Sequence, residues 1–256
     1  MKRWVLVFLA DERYIDKAFG SIREARREGG WINSIVLMVP ASILTEAQHQ
    51  SRARELGVQF MVIPHRNVDK VLGLWKANHQ HPKSSYVAQR PYIYNKFYLM
   101  DVRLKQWDVV FYMDSGVTVQ SSLQRFVQSC EPDHCCFYGH SDAYPTYERT
   151  LATQFSPELF TEENRAEFLE KYHKQLRGDY FQTTLFIYDT GLIQSDSVQT
   201  LFDLNDKFTS YGDQGIFNLY IGARWKQITL RDEVGWLYDY LVRDGQSRGE
   251  YAVLKI

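Results

Sequence analysis

Residues 4–40 read WVLVFLADERYIDKAFGSIREARREGGWINSIVLMVP, and their pattern decides the fold. Residues 4–10 are a continuous apolar run, which suits a strand covered on both faces. Ile15, Ala18, Phe19, Ile22 and Ala25 then recur at the spacing of one helix face, and Gly29-Gly30 stop that helix. INSIVLMVP (32–40) is a second strand closed by proline. Residues 41–56 read as a helix ending at Gly57, and VQFMVIP (58–64) as a third strand. Strand–helix–strand–helix–strand with short joints means a parallel sheet with right-handed crossovers. The class is therefore α/β.

Further along, residues 75–92 are polar and rich in turn formers, predicting a mobile loop that leads into a helix over 93–105. DVVFYMD (108–114) is a fourth strand, SSLQRFVQSC (121–130) a short helix and HCCFYGH (134–140) another strand. Ser156-Pro157 followed by Glu158, Glu162 and Glu163 suits a helix start, with Phe168, Leu169 and Tyr172 forming its apolar side. DYFQTTLFIYD (179–189) is a late strand and 213–222 a helix. No repeat or linker interrupts the chain, so a single domain over 1–256 is expected.

The 256 residues are 45% apolar and 24% charged with net charge −1, which disfavours a nucleic-acid binder needing a basic surface. Aromatics at 15% fit a large aromatic core, with sugar-stacking platforms as the second reading. Cys130, Cys135 and Cys136 lack the paired spacing of a zinc site even with His134 and His140 nearby, so buried reduced thiols are expected. His79 and His81 lie in a loop without a carboxylate and read as solvated. The apolar run at the start is short, ends in charges and lacks a small-residue cleavage site, and no stretch approaches the ~20 apolar residues of a membrane span. A cytoplasmic protein with no transmembrane segment is the expectation.

In an open parallel sheet, ligands sit beyond the carboxyl ends of the strands. LADERY (9–14) follows the first strand and DSG (114–116) the fourth. Neither is a Gly-rich phosphate loop, so a bound diphosphate here would need a cation, basic side chains or both.

Four segments in order resemble the glycogenin-like glycosyltransferases: FLADERYIDKAFGSI, YNKFYLMDVRLKQWDVVFYMDSGVTV, YFQTTLFIYDTG and YGDQGIFNLYIGARWKQI. The resemblance implies a GT-A fold and a hexosyl- or pentosyltransferase using a nucleotide-sugar donor, a UDP-sugar first and a GDP-sugar second. The acceptor class stays open among glycan, protein and small molecule. It assigns residues 1–120 to the nucleotide and 121–256 to sugar and acceptor. Leu9, Ala10, Asp11 and Tyr14 match the corner that holds base and ribose. Lys96 matches the lysine that reaches the diphosphate-sugar, and Asp114 with Ser115 the start of an Asp-x-Asp motif. Asp213 and Gln214 match an Asp-Gln pair at a helix start. Gln182 stands where the family has asparagine and Thr184 where it has glycine.

The family's divalent ion, Mn²⁺ or Mg²⁺, would have Asp114 as a weak single ligand, because Gly116 stands in place of the second acid. The family's C-terminal histidine has no counterpart, leaving Lys96, or Lys255 or Arg243 in the tail, to supply positive charge. Simpler roles stand beside these: a strand-end cap for Asp114, a helix N-cap for Asp213, a solvated Lys96 and a packed Tyr14. Gln182 needs a partner, a sugar hydroxyl or nearby backbone, since an unpaired buried amide costs on the order of 1–3 kcal/mol. A nucleotidyltransferase is disfavoured by the missing Gly-rich loop. A sugar-nucleotide-binding or inactive scaffold protein is the other alternative.

Overall fold

A computed structural model describes residues 2–228, except 65, 79, 81–82, 84, 86–89, 131–135 and 144–146, together with 253–254. Strand β1 (Trp4–Leu9) is buried along its whole length. Trp4, Leu6 and Phe8 point into one core, and Val5, Val7 and Leu9 into the other. Both faces are covered, as the uninterrupted apolar run demands. Helix α1 (Ile15–Arg27) buries the five predicted apolar positions and Ser21. Strand β2 (Ser34–Val39) and strand β3 (Val58–Val62) follow in parallel register.

Strand β4 (Val109–Met113) lies parallel to β1 on its other side. Beyond it come β7 (Phe181–Asp189), β6 (Phe137–Ser141) and β8 (Trp225–Gln227), giving the sheet order β3-β2-β1-β4-β7-β6-β8. Only β7 runs against the rest, since it is antiparallel to β4 and β6 while β6 is parallel to β8. The sheet is therefore mostly parallel, as expected. A short ribbon pairs β5 (Thr118–Val119) with β9 (Val253–Leu254).

One irregularity positions the site. On β6, Gly139 faces Phe186 of β7, but the next residue, His140, faces Gln182. One step on β6 thus spans four on β7, and residues 183–185 bulge out of the β6 ladder. On the other edge β7 stays paired with β4 as far as Leu185, and the Asp114 amide continues the ladder by donating to the Thr184 carbonyl at 2.8 Å. A bulge re-aims groups that regular pairing would consume. Here it frees the Thr183 backbone for side chains.

Several elements differ from the sequence reading. Residues 75–77 belong to helix α3 (Asp69–Ala77), where Trp75 is fully buried and Val71 and Leu72 share its face. Polar neighbours after Trp75 masked this amphipathic turn. The helix expected over 93–105 is two 3₁₀ segments, Pro91–Met100 and Val102–Gln106, because Asp101 is extended and its carboxylate accepts from the Arg103 amide. The helix expected over 41–56 breaks at the extended Glu46 into a 3₁₀ turn and α2 (Ala47–Glu55).

Thr161, not Ser156, caps the helix expected over 156–175; this helix is numbered α5 (Glu162–Leu176), after the short α4 (Gln124–Ser129). The Ser-Pro pair opens a separate 3₁₀ turn, Pro157–Leu159. Helix α6 (Ser197–Lys207) went unread, and α7 (Asp213–Ile221) lies where expected. Cys130 is a buried free thiol, pushed up to about 12 by burial, and Cys136 is a half-buried one. Cys135, His134, His79, His81, Arg243 and Lys255 lie outside the described residues. No described helix is long and apolar enough to cross a membrane.

His140, at the bulge, is buried, and burial lowers its pKa to about 4. A histidine whose folded pKa falls below its unfolded value of about 6.5 stabilises the fold above that pH and loses this as pH falls toward the folded value. Between pH 6.5 and 4, Tm should therefore drop more steeply in wild type than in His140→Gln, as measured by calorimetry across that range.

Candidate active site

Three segments converge where β4 ends and β7 begins. The 3₁₀ segment Pro91–Met100 is tied into the core by Tyr94 and Phe97, which point Lys96 at the carboxyl end of β4. The Lys96 ammonium lies 2.8 Å from Asp114 Oδ1 and 3.5 Å from Asp213 Oδ2, and it donates to the Thr183 carbonyl at 3.1 Å. Its side chain is only 11% exposed, so it is no solvated helix lysine. Tyr112, two residues before Asp114 and on the same face of β4, donates to Asp114 Oδ1 at 2.7 Å.

Asp213 opens α7, whose position is fixed from both sides. Phe217 packs its ring against Phe97 and Phe186 at centroid distances of 5.6 and 5.8 Å. Asn218 clamps the start of β7, accepting from the Phe181 amide at 3.0 Å and donating to its carbonyl at 2.8 Å. Gln214, one turn earlier, accepts from the Thr183 amide at 3.4 Å. The helix N-cap is Gly212, so Asp213 does not cap through its side chain. Its Oδ2 is buried without a hydrogen bond. Burial raises the Asp213 pKa above the ordinary carboxylate value, against the Lys96 charge and the Thr183 hydroxyl, while Asp114 adds to the rise.

Gln182 finds the partner that its mid-strand position requires. Its Nε2 donates to Asp142 Oδ1, and its Oε1 accepts from the Thr184 hydroxyl at 3.0 Å. The partner is a side chain from the end of β6, where the sequence pointed to a sugar or backbone.

The corner of Leu9, Ala10, Asp11 and Tyr14 is built largely from backbone. Leu9 and Ala10 bury their side chains, and their carbonyls accept from the Ser115 hydroxyl at 2.6 Å and the Tyr92 hydroxyl at 3.1 Å. Ser115 thereby ties the end of β4 to the end of β1. Asp11 accepts from the Arg13 and Tyr14 amides at 3.0 and 3.1 Å, fixing the turn into α1. Tyr14 is 36% exposed, with the Lys17 ammonium 5.2 Å from its ring centroid. Gly116 has φ +89, and its amide donates to Ser21 Oγ at 3.1 Å. A Cβ on Gly116 would meet nothing nearer than Lys17 Cδ at 3.4 Å.

Of the ten residues expected at the site, Lys96 lies on the 3₁₀ segment Pro91–Met100, Asp213 and Gln214 on α7, and the others on or just beyond the ends of β1, β4 and β7. Sequence reading missed Tyr112, Thr183, Asp142 and Lys17. Tyr112 was visible as the same-face neighbour of Asp114; the other three need the bulge and the turn to be known.

The two acids at this centre do not by themselves make a divalent-ion site. Both Asp114 and Asp213 already face the Lys96 ammonium, and Gly116 brings no carboxylate. Among the described residues no three His, Cys, Asp or Glu side chains gather in a metal-binding group. A divalent ion here would have to take most of its oxygens from substrate phosphates and water.

Compared with known proteins, the chain matches no family model and no curated sequence. Its three-dimensional structure does match solved ones. The apo structure of the WbbM bifunctional glycosyltransferase aligns at TM-score 0.64 and 13% identity, covering 99% of this chain and 45% of that one. Core-mannan synthase A (CmsA/Ktr4) of Aspergillus fumigatus, in its Mn/GDP form, aligns at TM-score 0.55 and 10% identity, covering 89% and 73%. GlyE of Streptococcus pneumoniae aligns at 0.54 and 16%, covering 90% and 46%. The fold is GT-A. The chain spans less than half the length of WbbM and GlyE. These GT-A neighbours do not single out the glycogenin-like branch.

Two substitutions probe the centre. A side chain at positive φ costs about 1–2 kcal/mol, so Gly116→Ala should lose roughly that amount in denaturant unfolding, without a packing clash. A carboxyl whose folded pKa is raised stabilises the fold fully below its unfolded pKa of about 3.9 and loses this as pH rises through the folded value. Ionised Asp213 therefore opposes folding at neutral pH. Asp213→Asn should raise Tm at pH 7.5, and the gap should close toward pH 4.

Proposed function

We propose that the protein is a glycosyltransferase of the retaining, glycogenin-like kind, moving a hexosyl or pentosyl unit from a nucleotide-diphosphate donor. The observation that carries the reading is the Lys96 ammonium, held by Asp114, Asp213 and the Thr183 carbonyl at the carboxyl edge of a GT-A sheet. A UDP-sugar is the first candidate donor. The GDP in the CmsA/Ktr4 structure and in that of the Ktr4p mannosyltransferase of S. cerevisiae supports a GDP-sugar as the second.

In this reading residues 1–120 hold the nucleotide against the corner of Leu9, Ala10, Asp11 and Tyr14. The diphosphate lies over the DSG turn, with Lys96 on one side and the exposed Lys17 beside Gly116 on the other. Fixed positive charge there stabilises the departing diphosphate. Lysines thus do what the resemblance assigns to Mn²⁺ or Mg²⁺, and transfer proceeds without an added divalent ion. Residues 121–256 hold the sugar and the acceptor. Asp213 and Gln182 contact the sugar, and Gln214, anchored on the Thr183 amide, faces the same centre. Asp213 stabilises an oxocarbenium-like transition state.

Thermal shift with UDP-glucose and GDP-mannose, with and without Mn²⁺ or EDTA, tests donor binding, and donor hydrolysis follows. At one hundred times its Kd a donor adds ~2.7 kcal/mol, or about 5–10 °C for a chain of this size. The same shift is expected in EDTA as in Mn²⁺; a shift that needs Mn²⁺ overturns the lysine reading. No shift from a broad nucleotide-sugar panel would sink the enzyme reading. Binding without hydrolysis or transfer across a broad acceptor screen would make the protein a binding module. Asp213→Ala should abolish transfer while leaving nucleoside-diphosphate binding within about twofold, and surviving transfer would remove Asp213 from the reaction.

A further inference from the structure

Beside the Lys96 centre lies a second buried charge that the proposed reaction does not yet use. Asp142 is one residue past β6, and its amide extends the ladder by donating to the Tyr180 carbonyl at 2.9 Å. It is 6% exposed, and both carboxylate oxygens are engaged. Oδ1 accepts from Gln182 Nε2, and Oδ2 accepts from the Tyr180 hydroxyl at 2.6 Å. Arg149 covers it from the solvent side, with Nη1 3.4 Å from Oδ2 and Nη2 donating to the Asp142 carbonyl. The Tyr180 hydroxyl in turn accepts from Gln154 Nε2 at 3.2 Å. Burial, followed by the Asp142 charge and hydrogen bond, pushes the Tyr180 hydroxyl up to about 12, which keeps it a donor.

An ionised carboxylate is acceptor-only, whereas a side-chain amide has one accepting and one donating end. Asp142 therefore admits the Gln182 amide in one orientation only, nitrogen toward the carboxylate and oxygen toward Thr184. The Thr184 hydroxyl, which can donate or accept, follows that choice and donates to Oε1 at 3.0 Å. We propose that Asp142 is a positioning residue, which fixes the direction in which Gln182 presents its amide to the donor sugar. This rests on the glycosyltransferase reading for its consequence, but the orientation itself is a property of the folded chain. Asparagine at 142 keeps the shape and loses the selection, because it both donates and accepts. The Gln182 amide is then free to flip, placing its oxygen where its nitrogen belongs. Misplacing one contact in a sugar site costs up to about 100-fold in rate.

Two measurements on the full chain test this. The first needs no substrate: the Gln182 side-chain amide signals in a ¹⁵N–¹H spectrum, assigned by their loss in Gln182→Ala, should move or broaden in Asp142→Asn. Those of Gln214 should stay in place. An unmoved Gln182 amide overturns the proposal whether or not any donor is turned over. The second is a double-mutant cycle on donor hydrolysis, with UDP-glucose or GDP-mannose, whichever shifts Tm. Asp142→Ala and Asp142→Asn should lower kcat about 10–100-fold, with the Kd for UDP or GDP unchanged. In the Gln182→Ala background the same changes should cost nothing more. If the losses instead multiply, Asp142 acts on its own or through stability, and the positioning role falls. Asp142→Asn keeps the test available should Asp142→Ala fail to fold. A wild type that binds no nucleotide sugar would remove the function reading and leave the spectral result to stand by itself.

Discussion

The structure turns on a buried ammonium between a buried carboxylate, Asp213, and a half-buried one, Asp114. Lys96 reaches Asp114, Asp213 and the Thr183 carbonyl, groups carried by three elements far apart in the chain. A charge pair taken out of water attracts strongly but has lost its hydration, so it survives only where further hydrogen bonds complete it. Asp114 has that support from the Tyr112 hydroxyl; Asp213 Oδ2 does not. The burden therefore falls on Asp213, and burial pushes its carboxyl toward the neutral form. Strain of this kind, held in place by a rigid surround, is what a site loses if it is optimised for stability alone.

The surround is the sheet. Beta1 and β4 run side by side with their carboxyl ends at the same edge, and Ser115 ties the two ends together through the Leu9 carbonyl. The antiparallel β7 brings its amino end to that edge, and the bulge over 183–185 turns its backbone toward the side chains. Helix α7 is then clamped by Asn218 to the strand that carries Thr183. The bulge allows one strand to serve as both a ladder partner for β4 and a source of carbonyl and amide for Lys96 and Gln214.

Much of this frame was legible in the sequence because burial leaves a periodic mark. The apolar run of β1, the five-residue face of α1 and the proline-closed β2 gave a parallel sheet directly. Asp114 was legible because an acid at a strand end stands out against an apolar background, whereas Lys96 and Asp213 were singled out only by the resemblance to glycogenin-like glycosyltransferases. What went unread was set by tertiary contact. Trp75 sits at the edge of a polar stretch, and only packing shows that its helix continues under it. Asp142 follows a strand in a segment with no periodicity, and nothing local says that it meets Gln182. Gln182 itself announced the need for a partner without saying which.

Gly116 illustrates how one position answers to two constraints. Its φ of +89 favours glycine, yet aspartate and asparagine also visit positive φ, so backbone conformation alone does not exclude an acid there. Space does not exclude it either, since the nearest atoms to an added Cβ are methylenes of Lys17 at 3.4 and 3.7 Å. An aspartate would, however, grow from the turn beside an exposed lysine and compensate its charge. With two acids already facing Lys96, a third carboxylate would leave the turn more acidic and less able to accept a diphosphate unless a divalent ion came with it. Glycine keeps the Lys17 side of the turn positive. In the proposed glycosyltransferase reading, the missing acid and the buried ammonium are one arrangement: the change that removes a metal ligand would leave protein cations to face the phosphate.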